Sequence, residues 1–283
     1  MKRILIFLIV AFGLFLTGCQ SREDTVQHPL QEAQEPAFLI SNLADPGSRA
    51  EVETVLKKVL PEQNVDHFLA DVLDYNETIC QTSLTQGFEK AVPEYDMAKI
   101  SSLWTEAKGT FIGLNCRITA FQLLLGALQS QKGASDGALL FLDYDAISSG
   151  KLFSDEETEQ FTQLFSRVKT EKTEDIKVHA DKMREHFSRF TFPENVKMVS
   201  VVLNDNLDGA YLFIGHVGVL VEDKGEFLFI EKLSFEEPYQ ALKFRRAEDC
   251  YQYLLKKYEN YTDEGAAKPF IMVNGEFECG NEQ

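Results

Sequence analysis

A change in hydrophobic pattern at Val196 constrains the fold of this chain more than any other feature. Before it, apolar residues recur at the three- and four-residue steps that are typical of amphipathic helices. After it come three apolar segments separated by turn-forming residues, at 197–203, 211–221 and 226–233. The middle segment is apolar on both faces, which predicts a strand inside an antiparallel sheet. Helices followed by such a sheet predict the α+β class.

The helical pattern is strongest from Asn115 to Ser130, where Ala120 with Gly126 indicates close packing against another element. Weaker patterns predict helices over 50–60, 65–75, 97–108, 155–169, 175–190 and 247–258, and a last strand over 270–273. Because no internal repeat divides the chain, we predict one domain over residues 41–283.

The N-terminus has the pattern of an export signal. Two basic residues precede 13 apolar residues at 4–16, a segment too short for a membrane-spanning helix. The motif that follows, Leu16-Thr17-Gly18-Cys19, resembles the lipobox of bacterial lipoproteins. The resemblance implies that residues 1–18 are a signal peptide and that Cys19 is acylated, which anchors the protein to the outer face of the cytoplasmic membrane. The alternative is an uncleaved N-terminal anchor in which Cys19 has no role.

Residues 20–37 are polar, contain two prolines and lack periodicity, so residues 19–40 are predicted to be a lipidated N-terminus and tether. The whole chain has a formal charge of −17, and loss of the two basic residues in 1–18 makes it −19. So acidic a surface excludes a nucleic-acid partner and disfavours electrostatic adhesion to anionic lipid. Membrane attachment is therefore expected to depend on the two acyl chains of the lipid.

Cys116 is a candidate nucleophile because of its place in the strongest helix. Asn115 is a good N-cap, which puts Cys116 at the first helical position. There the unpaired backbone N–H groups and the helix dipole favour a thiolate and lower the thiol pKa. The alternative is a small buried hydrophobe, which is the commonest role of cysteine.

His216 lies in the middle of the strand that is apolar on both faces. A buried imidazole needs partners for two ring nitrogens, and Gly215 and Gly218 leave space for a close approach. The alternative is a histidine that is hydrogen-bonded for structure alone.

Glu231 interrupts the apolar run 227–230 of the next strand, where a carboxylate needs a partner. Any two-residue turn within 223–225 places Glu231 on the same face as His216, directly opposite or diagonal to it. A three-residue turn would place Lys232 there instead. The order cysteine, histidine, acid corresponds to nucleophile, base and orienting residue.

This order resembles the papain-like superfamily, which includes the NlpC-type cell-wall peptidases and the transglutaminase-like proteases. His216-Val217-Gly218-Val219 matches the strand motif H-V-G-[IV] of that group, whereas Asn115-Cys116-Arg117 departs from the D-C-S-G of the NlpC type. The resemblance implies a helical N-terminal part whose central helix carries the cysteine and packs on an antiparallel sheet. It also implies hydrolysis of an amide bond in a cell-wall peptide or surface protein. The departure at Arg117 favours the alternative, a non-catalytic surface binding lipoprotein that keeps the fold.

Three longer stretches, GLNCRITAF, FIGHVGVLVE and FIEKLSFEEPYQALKF, are similar to an uncharacterised domain family of Gram-positive lipoproteins. The similarity extends from about Leu43 to the end of the chain. It implies a shared architecture and brings no known activity.

No cofactor and no metal site are predicted, because the chain has no Gly-rich phosphate loop, HExxH motif or paired C-x-x-C. His179 and His186 lie seven residues apart on one predicted helix, a spacing that fits a solvated face better than a metal site. At most two of Cys80, Cys250 and Cys279 are expected to pair.

The sequence leaves two features of the site open. The second donor of an oxyanion hole is Asn76, Gln86 or Asn115. Asp143 and Asp145 either line a cleft or lie in a turn at the end of a strand.

Overall fold

The computed structural model describes residues 38–90 and 92–280. The predicted signal peptide, the predicted lipidation site Cys19 and residues 20–37 lie outside the described residues.

The helices of the described residues belong mainly to the first two thirds of the chain. They are α1 (Pro46–Leu56), α2 (Glu62–Thr78), α3 (Met97–Lys108), α4 (Cys116–Leu124), α5 (Phe141–Gly150), α6 (Asp155–Phe165), α7 (Ile176–Phe187) and α8 (Ala247–Tyr258). The predicted bounds of α3 and α8 are confirmed. Within the described ranges, no helix is long and apolar enough to cross a membrane.

The strands of the described residues lie mainly in the last third. They are β1 (Leu39–Ser41), β2 (Gln129–Ser130), β3 (Val168–Lys169), β4 (Phe190–Thr191), β5 (Lys197–Asp205), β6 (Tyr211–Asp223), β7 (Glu226–Lys232), β8 (Tyr239–Phe244), β9 (Phe270–Val273) and β10 (Glu276–Gly280). The main sheet has the order β1-β8-β7-β6-β5-β9-β10, and every pair in it is antiparallel. The α+β class is therefore confirmed.

Helix α4 is shorter than predicted, and the reason is local. Leu125 is extended (φ −56°, ψ 131°) and Gly126 has a φ of +75°, a conformation that glycine adopts readily. The chain therefore turns into β2 in place of a longer helix. A Cβ added at Gly126 would meet nothing within 4 Å, so the predicted close packing of this glycine is wrong.

The two faces of the sheet are covered by different helices. On one face Leu228 and Ile230 join a core that includes Phe121 of α4. On the other face Phe229 packs in a separate core with Leu254 of α8. This alternation along β7 buries its apolar side chains on both faces, each worth about 2 kcal/mol. The sheet is thus held between α4 and α8, and the candidate site lies where both helices reach it.

Candidate active site

Strand β6 has a gap in its pairing, and the start of α4 fills it. β6 pairs with β5 along most of its length, but with β7 only from Val219 onward and with β3 only at Tyr211 and Leu212. In the intervening stretch the Val217 N–H donates to the sulfur of Cys116. The Arg117 guanidinium donates to the Ile214 carbonyl at 3.2 Å. The sheet therefore opens at the residues around His216, and Cys116 occupies the opening.

Cys116 is the first residue of α4, as predicted. The Asn115 side chain accepts a hydrogen bond from the Ile118 N–H at 3.0 Å, which is the geometry of an N-cap. Only 6% of Cys116 is exposed. Its thiol therefore lies at the positive end of the helix dipole and almost out of contact with water.

His216 and Glu231 are joined by a short hydrogen bond, with His216 Nε2 and Glu231 Oε2 2.5 Å apart and both residues 1% exposed. The hairpin turn between their strands is Lys224-Gly225, with φ of +54° and +81°. This two-residue turn makes Glu231 the diagonal neighbour of His216, one of the two arrangements expected from the sequence. The imidazole also interacts with the Cys116 thiol, through its charge and a hydrogen bond.

Helix α8 completes the surroundings of the carboxylate. The Tyr253 hydroxyl donates to Glu231 Oε1 at 3.0 Å, and Lys257 Nζ lies 3.3 Å from the same oxygen. The Tyr258 ring stacks on the His216 ring, with centroids 5.0 Å apart and planes 24° from parallel. The imidazole is thereby held between an aromatic face and a carboxylate that has two further partners of its own.

The charges of the three groups support one another. Burial alone would raise the pKa of Glu231, but the positive charge of Lys257 and the hydrogen bond from His216 lower it to about 2. Burial likewise disfavours imidazolium, yet Cys116 and Glu231 raise the pKa of His216. Burial opposes the thiolate, while the charge and hydrogen bond of His216, the charge of Arg117 and the Val217 N–H hold the pKa of Cys116 below its ordinary value. This arrangement favours a thiolate–imidazolium pair over two neutral groups.

Asp143 supports the start of α4 from a helix that the sequence pattern missed. It is fully buried on α5, and both of its oxygens bind Arg117, at 2.9 Å from Nε and 2.7 Å from Nη2. It also accepts from Asn115 Nδ2 at 2.7 Å. The alternative of a turn at the end of a strand is therefore wrong for Asp143. The carboxylate fixes the residues on either side of Cys116 and neutralises Arg117.

Lys232 is a second buried cation near the thiol, on the opposite face of β7 from Glu231. It is 1% exposed, its ammonium lies 3.9 Å from the centre of the Tyr75 ring, and it donates to the carbonyls of Phe235 and Glu237. Burial holds the pKa of Lys232 well below its ordinary value, and the charges of Glu237 and Cys116 oppose that shift. The sequence places Lys232 beside His216 only for a three-residue turn, and the observed two-residue turn excludes that alternative.

The candidates for the oxyanion donor are already engaged in other hydrogen bonds. Asn76 Nδ2 donates to the carbonyls of Asn42 and Leu43, and Gln86 hydrogen-bonds Gln81 on the surface. Asn115 Nδ2 is committed to Asp143.

The remaining cysteines and the two histidines of α7 have other surroundings. Cys80, Cys250 and Cys279 are free in the described structure. His179 bonds the Thr170 hydroxyl, and His186 bonds the Leu164 carbonyl. Both histidines are buried, so a solvated face is wrong for them. Among the described residues no cluster of histidine, cysteine and acidic side chains is arranged to hold a metal ion.

The chain belongs to a protein family described as a domain of unknown function, DUF4300, whose model matches residues 39–277. No curated protein and no solved structure matches the chain. The description of the family gives no activity.

Proposed function

We propose that this protein is a cell-surface thiol hydrolase of papain-like type that cleaves an amide bond in a cell-wall peptide or a surface protein. The observation that carries the proposal is the buried chain of contacts from Cys116 through His216 to Glu231. The substrate class rests on the lipobox-like motif at Cys19, which implies a lipid anchor and an outer-surface location.

In this mechanism the Cys116 thiolate attacks the carbonyl carbon and forms a carbon–sulfur bond. The His216 imidazolium then gives its proton to the leaving nitrogen as the carbon–nitrogen bond breaks, which releases an amine and leaves a thioester. Water attacks the thioester while neutral His216 accepts one of its protons. The products are a carboxylic acid and the original thiolate–imidazolium pair. Glu231 stays ionised and orients the imidazole throughout.

One observation favours the second candidate function, a surface binding lipoprotein without catalysis. Cys116 is 6% exposed and His216 is 1% exposed, so a substrate carbonyl has little room to reach the sulfur unless neighbouring side chains move. Arg117, beside the thiol, is also tied to Asp143 and to the sheet.

Alkylation by iodoacetamide separates the two functions. The rate at Cys116 is followed by mass spectrometry of the intact protein and its peptides between about pH 5 and pH 10, which spans the range of activated thiols. A hydrolase requires a rate at neutral pH above that of a free thiol, and a His216→Ala variant must lose this excess. A rate no faster than free cysteine overturns the proposal. Cell-wall muropeptides are then incubated with the wild type and with Cys116→Ser, and only the wild type is expected to shorten them.

A further inference from the structure

A surface cavity of about 510 Å³ opens beside the candidate active site. Its lining includes Arg117, which follows Cys116 directly, and Phe213, three residues before His216. It also includes Tyr261, whose ring packs 5.3 Å from the Tyr258 ring that stacks on His216. The cavity is therefore linked to the proposed nucleophile–base pair through Arg117 and through the Tyr261–Tyr258 ring contact.

Apolar walls dominate one part of this cavity. Leu139 and Phe213 line it, and Leu207 and Tyr261 are 81% and 61% exposed at its surface. Exposed apolar side chains that line a concavity are typical of ligand-binding sites. The walls fit an aliphatic chain.

Two acidic residues lie among these walls. Asp205 and Asp263 line the cavity, and neither forms a salt bridge within the described part of the chain. The one basic residue of the lining, Arg117, is already neutralised by Asp143. The cavity therefore has an excess of negative charge.

We infer that this cavity binds a long aliphatic side chain that ends in an ammonium group, such as a lysine-type residue of the peptide substrate. The apolar walls hold the methylene stem, and the two carboxylates attract the ammonium. A carboxylate-bearing side chain is repelled, and a purely apolar one forms no ion pair with the two carboxylates. The inference rests on the proposed function, of which it names the substrate class.

Binding is tested on Cys116→Ala protein, so that reactivity of the thiol plays no part. The probes are the Nα-acetyl methylamides of lysine, norleucine and glutamate, titrated while the methyl NMR signals of Leu139 and Leu207 are recorded. The lysine probe is expected to shift these signals and to bind about fivefold more tightly than norleucine, as two partly exposed ion pairs allow. The glutamate probe is expected to bind most weakly.

Two carboxylate variants assign the preference. Asp205→Asn with Asp263→Asn is expected to remove it, and asparagine at 205 keeps the acceptor that holds the Leu207 N–H at 2.8 Å. Glu226→Gln is the matched control, since this exposed acid lies at the hairpin turn opposite Asp223. Asp223 is seven residues, or about 23 Å, along β6 from His216. Equal binding of lysine and norleucine, or an equal loss of preference in the control, overturns the inference. Slow alkylation of Cys116 would overturn the proposed hydrolase while leaving these binding results unaffected.

Discussion

Replacement of Glu231 by glutamine tests the electrostatic reasoning about the site most directly. The substitution keeps the size of the side chain and an acceptor for His216 Nε2, but it removes the negative charge. Two unit charges about 4 Å apart interact by about 4 kcal/mol at an effective dielectric constant of 20. Since 1.36 kcal/mol equals one pKa unit, and the remaining hydrogen bond offsets part of the loss, we expect the pKa of His216 to fall by about 2 units. Lys257, 3.3 Å from Glu231, adds repulsion once the carboxylate is gone.

The consequence is measured at Cys116. Imidazolium lowers the pKa of the thiol. Loss of the imidazolium charge should therefore raise the midpoint of the alkylation profile by about one to two pH units. At about pH 6 iodoacetamide should alkylate Cys116 of Glu231→Gln roughly ten- to a hundredfold more slowly than Cys116 of the wild type. Mass spectrometry of the Cys116 peptide separates this thiol from the other cysteines.

A matched control disturbs the same buried cluster but keeps the carboxylate. Lys257→Met removes the cation that contacts Glu231 from α8, so the Cys116 midpoint should stay or move to lower pH. The reasoning is refuted if Glu231→Gln keeps its circular dichroism and melting temperature while its midpoint moves by less than about 0.3 unit. If the melting temperature falls and the midpoint is unchanged, Glu231 is a structural partner of Lys257 and not the orienting residue.

Two further substitutions test the packing around the site. Gly218→Ala should lower the free energy of unfolding by about 1–3 kcal/mol in a urea titration. The reason is that the added Cβ would lie 2.3 Å from the Phe229 ring and 2.6 Å from the Ile230 carbonyl. A smaller decrease would mean that the strands shift at little cost. Asn115→Ala should lower the free energy of unfolding by about 1 kcal/mol, because the N-cap hydrogen bond is lost, and should also slow the alkylation of Cys116. Unchanged alkylation would show that the cap does not position the thiol.

The α+β class and the main strands can be predicted from hydrophobic periodicity. The residues of the candidate site can be predicted for a related reason. Cys116, His216 and Glu231 are polar or reactive residues in apolar elements, and a buried polar group requires a partner. For His216 and Glu231 the partner was fixed by the geometry of a two-residue hairpin turn, which is a local feature. Residues whose environment is set by neighbours in sequence are therefore predictable.

The groups that surround this core of the site were not predictable, because their contacts join distant elements. Asp143 binds Arg117 across 26 residues of sequence, and its helix buries too few apolar residues to show a helical pattern. Tyr253 and Lys257 are four residues apart on a correctly predicted helix, which places them on one face. Nothing in the sequence shows that this face lies over Glu231.

The pKa of Glu231 also predicts how the whole domain responds to acid. Its ordinary value of 4.5 falls to about 2 in the folded protein, because Lys257 and His216 stabilise the carboxylate against the effect of burial. A group with a lowered folded pKa stabilises the fold above its unfolded pKa, and this contribution is lost as the pH falls through the folded value. The contribution is about 3 kcal/mol, and it should disappear between pH 4.5 and about 2. Urea unfolding at several pH values should therefore show the stability difference between wild type and Glu231→Gln shrinking by this amount.

Asp45, whose pKa is also lowered to about 2 by hydrogen bonds at the start of α1, provides the control. Asp45→Asn should remove part of the acid sensitivity and leave alkylation of Cys116 unchanged. The difference in free energy of unfolding between wild type and Glu231→Gln could instead stay constant from about pH 6 to about pH 2. That result would show that the carboxylate is not held ionised by its neighbours.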